Sequence, residues 1–186
     1  MRNSTYARNL IEQVIKNSLA DNWEDAVQEW DILDCVEDES REESCICGKE
    51  DLYYLFTIQN RYTGKILYPI GSSCIHKFER EDLSEQADIE EKMFRLYHAI
   101  ENGAYITLSS DFFSRKVLRH LYEVGAFDNS YNNYNGKSDY EFMLKMFNKR
   151  NKQDITLRQQ SKIRAIIVAS VRPYLRNRLQ DKIQNL

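Results

Sequence analysis

The sequence predicts an α+β fold: a small antiparallel β-sheet with a Cys-rich zinc site and an N-terminal helix, followed by an all-helical C-terminal half. Three observations carry this expectation. Residues 45–78 read as two Cys/His clusters at either end of a hairpin. Beyond residue 80, apolar residues recur at helical spacing behind strings of capping-box form. Finally, charge is split along the chain. Residues 1–144 carry 27 Asp and Glu against 15 Lys and Arg, while residues 145–186 carry 2 against 11. The expected division is an N-terminal Cys-rich module, 1–80, and a C-terminal helical domain, 81–186.

The elements follow in order. Tyr6, Leu10, Ile11, Val14 and Ile15 form one apolar stripe and predict a helix over 5–20. A short helical turn is expected from Trp23 to Gln28. Residues 29–37 alternate as a strand, with Trp30, Ile32 and Val36 on one face and Leu33 and Cys35 on the other. The acidic string Glu37-Asp38-Glu39-Ser40-Arg41-Glu42-Glu43 is expected as an exposed, solvated loop. Residues 52–59 are rich in Tyr, Leu, Phe, Thr and Ile and suit a half-buried strand. Asn60-Arg61-Tyr62-Thr63-Gly64 is a loop that ends in Gly at a left-handed position. Residues 66–70 resume the strand, and Pro69 assigns it to a sheet edge because proline cannot donate to a ladder.

In the C-terminal half, Asp82-Leu83-Ser84-Glu85 predicts the start of a helix that Gly103 ends, with Ile89, Met93, Leu96, Tyr97 and Ile100 inward. A short extended piece, 104–108, leads through Ser109-Ser110 to a helix ending near Gly125. A Tyr/Asn loop spans 128–137. Ser138-Asp139-Tyr140-Glu141 and Thr156-Leu157-Arg158-Gln159 predict two further helix starts, and Pro173 kinks the last helix.

A hairpin brings its ends together, so Cys45 and Cys47 would meet Cys74 and His76. Zinc prefers a tetrahedral set of thiolates and imidazoles, which makes these four the expected ligands of a structural Zn²⁺, with Cys35 as the alternative fourth. One residue separates the members of each pair, where structural zinc sites commonly have two to four. Small buried thiols in a reduced protein are the competing reading.

Composition bounds the function. With 42% apolar and 30% charged residues and only 6 Gly and 2 Pro, the chain has the make-up of a globular protein. No run approaches the length of a membrane span. No signal peptide is evident, and the four cysteines suggest no disulfide framework, so a reducing cytosol is expected. There is no phosphate-binding Gly loop, no His-Glu-x-x-His helix and no Ser-His-Asp order, so no catalytic residue is assigned. The cationic end suggests a surface that faces a polyanion or an acidic partner through Lys149, Arg150, Lys152, Arg158 and Lys162, which flank one helix–helix turn; a basic helix lying against the acidic part of its own chain is the competing reading.

Five strings add a resemblance. Glu43-Ser44-Cys45-Ile46-Cys47-Gly48-Lys49-Glu50 is followed by Tyr54-Leu55-Phe56-Thr57-Ile58 and Pro69-Ile70-Gly71-Ser72-Ser73-Cys74-Ile75. Further on stand Phe113-Ser114-Arg115-Lys116-Val117-Leu118 and Met146-Phe147-Asn148-Lys149-Arg150-Asn151-Lys152. In this order they resemble a family of small proteins of phages and mobile genetic elements of low-GC Gram-positive bacteria, which includes broad-spectrum type II-A anti-CRISPR proteins. The resemblance spans nearly the whole chain, and its most specific part is the cysteine string. It implies evasion of host defence: inhibition of a type II CRISPR RNA-guided effector nuclease by binding the effector, its guide RNA or both, in the cytoplasm of the bacterial host. It implies neither a membrane partner nor a small-molecule substrate. Cys45, Cys47 and Cys74 match the family string, whereas many relatives carry Lys at the position of His76. Competing readings are a zinc-supported nucleic-acid-binding protein of a mobile element and a ribonuclease acting on guide RNA.

Overall fold

The computed structural model describes residues 4–184 and has the α+β architecture expected. It divides into two compact units. One reaches to Glu90 and takes back the chain from Asp181 on; the other is Glu91–Gln180. The division falls within helix α4 (Glu81–Glu101), whereas the expected boundary lay ahead of that helix.

The first unit holds α1 (Thr5–Asn17), α2 (Trp23–Ala26), β1 (Trp30–Asp38), β2 (Tyr54–Asn60), β3 (Ile66–Ile70) and α3 (Ser72–Ile75). The sheet order is β3-β2-β1-β4, with the three long strands antiparallel. The two-residue β4 (Ile183–Gln184) runs parallel to β1 at Glu37 and Asp38. Pro69 lies on the edge strand, as expected. Gly64 closes the β2–β3 turn at φ +70, with its N–H donating to the Asn60 carbonyl.

A β-bulge between Ile32 and Asp34 corrects the expected faces of β1. The extra residue reverses the alternation beyond it. Leu33 lies at the bulge and is 56% exposed; beyond it Cys35 is buried and Val36 only half-buried, the reverse of the expected order. The acidic string is corrected too. Glu37 and Asp38 are buried, because β1 runs on through them between β2 and β4. The Asp38 carboxylate accepts from the Ser40 hydroxyl at 2.5 Å and the Ser40 N–H at 3.0 Å, and the hydroxyl contact above all lowers its pKa. Glu29 is buried as well. Its carboxylate accepts from the N–H groups of Leu19 and Ala20 and from Asn60 Nδ2, tying the α1–α2 loop to the hairpin. Burial opposes its ionisation, and the hydrogen bonds outweigh that opposition, so its pKa falls.

The second unit contains the end of α4, then α5 (Arg115–Glu123), α6 (Lys137–Phe147), α7 (Leu157–Ile166) and α8 (Arg172–Leu179). Phe113, Leu118, Leu121, Phe127, Met143 and Met146 are buried in it. Of the three expected capping boxes, one forms: the Thr156 hydroxyl accepts from Gln159 N–H while the Gln159 side chain accepts from Thr156 N–H. α4 begins at Glu81, and Asp82 is taken by Arg80 instead of capping. α6 begins at Lys137 behind Gly136, which places Ser138 inside the helix. α5 starts late, at Arg115, where the Ser114 hydroxyl accepts from Val117 N–H. The expected kink at Pro173 takes the form of a π-helical stretch, Ile167–Val171, ahead of α8. Proline lacks the N–H that would continue the preceding ladder, and the wider turn absorbs the gap.

Candidate metal centre

The site is built by two tight turns at one end of the sheet. In the first, Cys45 N–H donates to the Lys49 carbonyl and Gly48 N–H to the Cys45 carbonyl. Gly48 sits at φ +89, a conformation open to glycine, and so lets the chain reverse directly after Cys47. Two bonds fix this turn from outside. Ile46 N–H donates to the Pro69 carbonyl on β3, and Asn9 Nδ2 of α1 donates to the Cys47 carbonyl at 3.0 Å. The second turn follows β3. Gly71 caps α3, and a Cβ there would come 3.0 Å from Leu52 Cδ2, so a larger residue would force the buried Leu52 side chain to shift.

The result is a buried cluster. The sulfurs of Cys45, Cys47 and Cys74 all lie within 4.8 Å of one another. Cys45 and Cys74 are 3.7 Å apart. That separation matches the edge of a tetrahedron whose metal–sulfur bonds are about 2.3 Å. The electrostatics favour one thiolate already. The hydrogen bond with Cys74 most of all, then the N–H groups of Cys47 and Gly71, hold the Cys45 thiol down to about 5 against the opposing effect of burial. Cys74 moves the other way, because its hydrogen bond to Cys45 holds its proton and burial disfavours a second charge. Three buried thiols with one poised to ionise form a soft donor set that could hold a metal ion.

His76 and Cys35 are not part of this group. His76 stands at the end of α3 with its side chain 42% exposed and Nε2 3.4 Å from Asp88 Oδ1. Cys35 is buried in β1, opposite Phe56. The structure thus brings together three of the four expected ligands. Beside Cys45 and Cys74 opens a cavity of about 140 Å³, which Lys49, Asp51, Ser72 and Ser73 also line.

The five basic residues do not behave alike. Lys149 donates to the Asp154 carbonyl at 2.7 Å and to Gln159 Oε1 at 3.2 Å. Lys152 donates to the Met146 and Phe147 carbonyls at the C-terminus of α6, and burial lowers its pKa. Lys162 faces Asp139 at 3.6 Å and lies over the Phe142 ring. Arg150 and Arg158 are exposed and make no ion pair among the described residues. Sequence reasoning missed Asn9 and Glu29. Asn9 carries no local pattern, and Glu29 stands in an acidic stretch that reads as solvated.

No family model, curated protein or solved structure matches this chain. Among the described residues, no helix is long and apolar enough to cross a membrane.

Proposed function

We propose that this chain is a zinc-stabilised inhibitor of a type II CRISPR RNA-guided effector nuclease, acting by binding in the bacterial cytoplasm. The observation that carries the reading is the convergence of Cys45, Cys47 and Cys74. They are the most specific residues of the sequence resemblance, and they close the turns at one end of the sheet. Zinc suits them because it takes thiolates at tetrahedral spacing without redox chemistry. The ion's part is structural: it joins the turn before β2 to the turn after β3, and metal binding of this kind is coupled to folding.

The binding surface includes Arg150 and Arg158, exposed and without ion pairs among the described residues, with Lys149, Lys152 and Lys162 completing the cationic turn. The partner is the effector or its guide RNA. Purified protein should be mixed with effector alone, guide RNA alone and the assembled complex, with target cleavage and guide-RNA length as readouts. The expected result is loss of cleavage with full-length guide RNA and a complex that includes this chain. Shortened guide RNA would move the reading to a ribonuclease. Undiminished cleavage with no complex would remove it. A salt titration separates the two binding modes, since phosphate contacts weaken steeply with salt.

A further inference from the structure

Between α4 and α5 the chain runs through residues 104–107 outside any helix or strand and bends at Leu108. Its side chains alternate as in a strand: Ile106 and Leu108 are buried, while Tyr105 and Thr107 are exposed. Yet it belongs to no sheet. Among the described residues, no backbone N–H or carbonyl of Tyr105, Ile106, Thr107 or Leu108 makes a hydrogen bond. A run of free backbone donors and acceptors whose side chains alternate in burial is a template for another strand.

The segment is also one wall of a groove of about 760 Å³. Phe147, Ile155 and Ile163 supply apolar lining from the rest of the unit. The charged groups of the lining are Lys152 and Arg164, and it contains no acid. Arg164 is held at the lip, its guanidinium 4.9 Å over the Tyr105 ring. A second cavity of about 310 Å³ shares Tyr105, Ile106 and Arg164 and extends the groove past the exposed Val168. Four residues of strand span roughly 13 Å at about 3.3 Å each, enough to pair with a short extended partner.

We propose that residues 105–108 are a docking edge for an extended peptide segment of a partner protein, in which apolar side chains alternate with acidic ones. Backbone bonds to the free edge supply affinity, the groove takes every second side chain, and the acids meet Arg164 and Lys152. Single-stranded nucleic acid fits less well. Bases stack on open aromatic faces, whereas Arg164 lies over the Tyr105 ring and Lys152 over the Phe147 ring, and the rest of the lining has no aromatic ring. The inference concerns a different surface from the metal centre; the groove shares Lys152 with the cationic turn, but its free edge and Arg164 lie outside that turn, so it stands whether or not the inhibitory reading does.

The test uses the full chain and three probes: a short fluorescent peptide alternating Leu with Glu, its counterpart with Lys for Glu, and a short oligouridylate. Hydrogen exchange at residues 105–108 and fluorescence anisotropy are the readouts. The acidic peptide should bind and slow exchange of these amides at least about tenfold. Arg164→Glu, at an exposed position, should keep the melting curve, weaken the acidic peptide about tenfold and favour the Lys peptide. Unchanged exchange at saturating acidic peptide would overturn the proposal, and so would equal binding of both peptides. Protection by oligouridylate alone would replace the peptide with a nucleic acid. The exchange result on the unaltered chain stands even where the variant fails to fold.

Discussion

The two units solve the problem of stability by different means. The Cys-bearing unit carries 21 Asp and Glu against 10 Lys and Arg, and it contains all four cysteines. It gathers short elements around polar staples: three thiols, the Glu29 carboxylate and the Asp38 turn. The helical unit carries 8 acids against 16 bases and no cysteine. Helices joined by Asn-capped turns bury its large apolar side chains. In the turn after Phe127, for example, Asn129 accepts from the N–H groups of Tyr131 and Asn132 and donates to Ser170 Oγ. The first unit's stability is thus conditional on the state of ionisable and metal-binding groups. The second rests on packing, which neither chelators nor moderate pH changes touch.

Metal removal breaks the comparison most sharply. Chelation, Cys45→Ser or Cys74→Ser should unfold the Cys-bearing unit and leave the helices of residues 91–180 formed, seen as lost strand signal and retained helix signal in circular dichroism. Structural zinc contributes on the order of 10 kcal/mol in small metal-dependent folds, more than this unit could spare. His76→Ala and Cys35→Ala should both retain the ion in elemental analysis, because neither lies in the thiol group. Loss of the ion from either variant would assign that residue the fourth position. Protein purified without chelator and found free of metal would end the zinc reading.

Next in size is Glu29→Ala. It leaves the Leu19 and Ala20 N–H groups and Asn60 without their buried acceptor. The expected loss is about 3 kcal/mol, from denaturant unfolding followed by Trp fluorescence. A neutral outcome would mean that the staple is dispensable.

The helical unit has one strong electrostatic tie, and it sharpens the contrast. Arg176 donates to both oxygens of Glu101, and Arg172 to one of them. The Arg176 hydrogen bond above all, helped by Arg172 and opposed by burial, pulls the Glu101 carboxyl down to about 2 from 4.5. A depressed carboxylate stabilises fully above its unfolded value and loses that contribution as pH falls through its folded value. Glu101→Gln should therefore lower the melting temperature at neutral pH, and the gap to the unaltered protein should close between about pH 4.5 and pH 2. A gap independent of pH would show that packing, not charge, holds these residues.

The smallest effect is expected at the cationic turn. Arg150→Glu with Arg158→Glu should change stability by no more than about 0.5 kcal/mol while abolishing inhibition. Lys152→Glu should cost about 1 kcal/mol, because it replaces a cation at the C-terminal carbonyls of α6 with an anion. Full inhibitory activity in the double variant would make the turn a counter-charge and not a binding surface.

Much of this molecule is determined by sequence within short windows. The helices follow from their apolar spacing, the hairpin turn from Gly64 and the edge strand from Pro69. The meeting of Cys45, Cys47 and Cys74 follows because a hairpin of known length must bring its ends together. Each of these depends on backbone geometry that neighbouring residues set. Tertiary structure decided the rest. The bulge at Leu33 turned Cys35 into the core, since register is a property of two strands and not of one. The return of the chain as β4 beside β1 accompanies the burial of Glu37 and Asp38, which in isolation read as solvated. His76 turned to Asp88 because short helices rotate side chains away from a cluster only two residues behind. A non-helical piece at residues 104–108 was legible in the sequence, but its unpaired backbone and the groove beside it were not. They exist because segments far apart in the chain fold to face one stretch and leave its backbone unpaired.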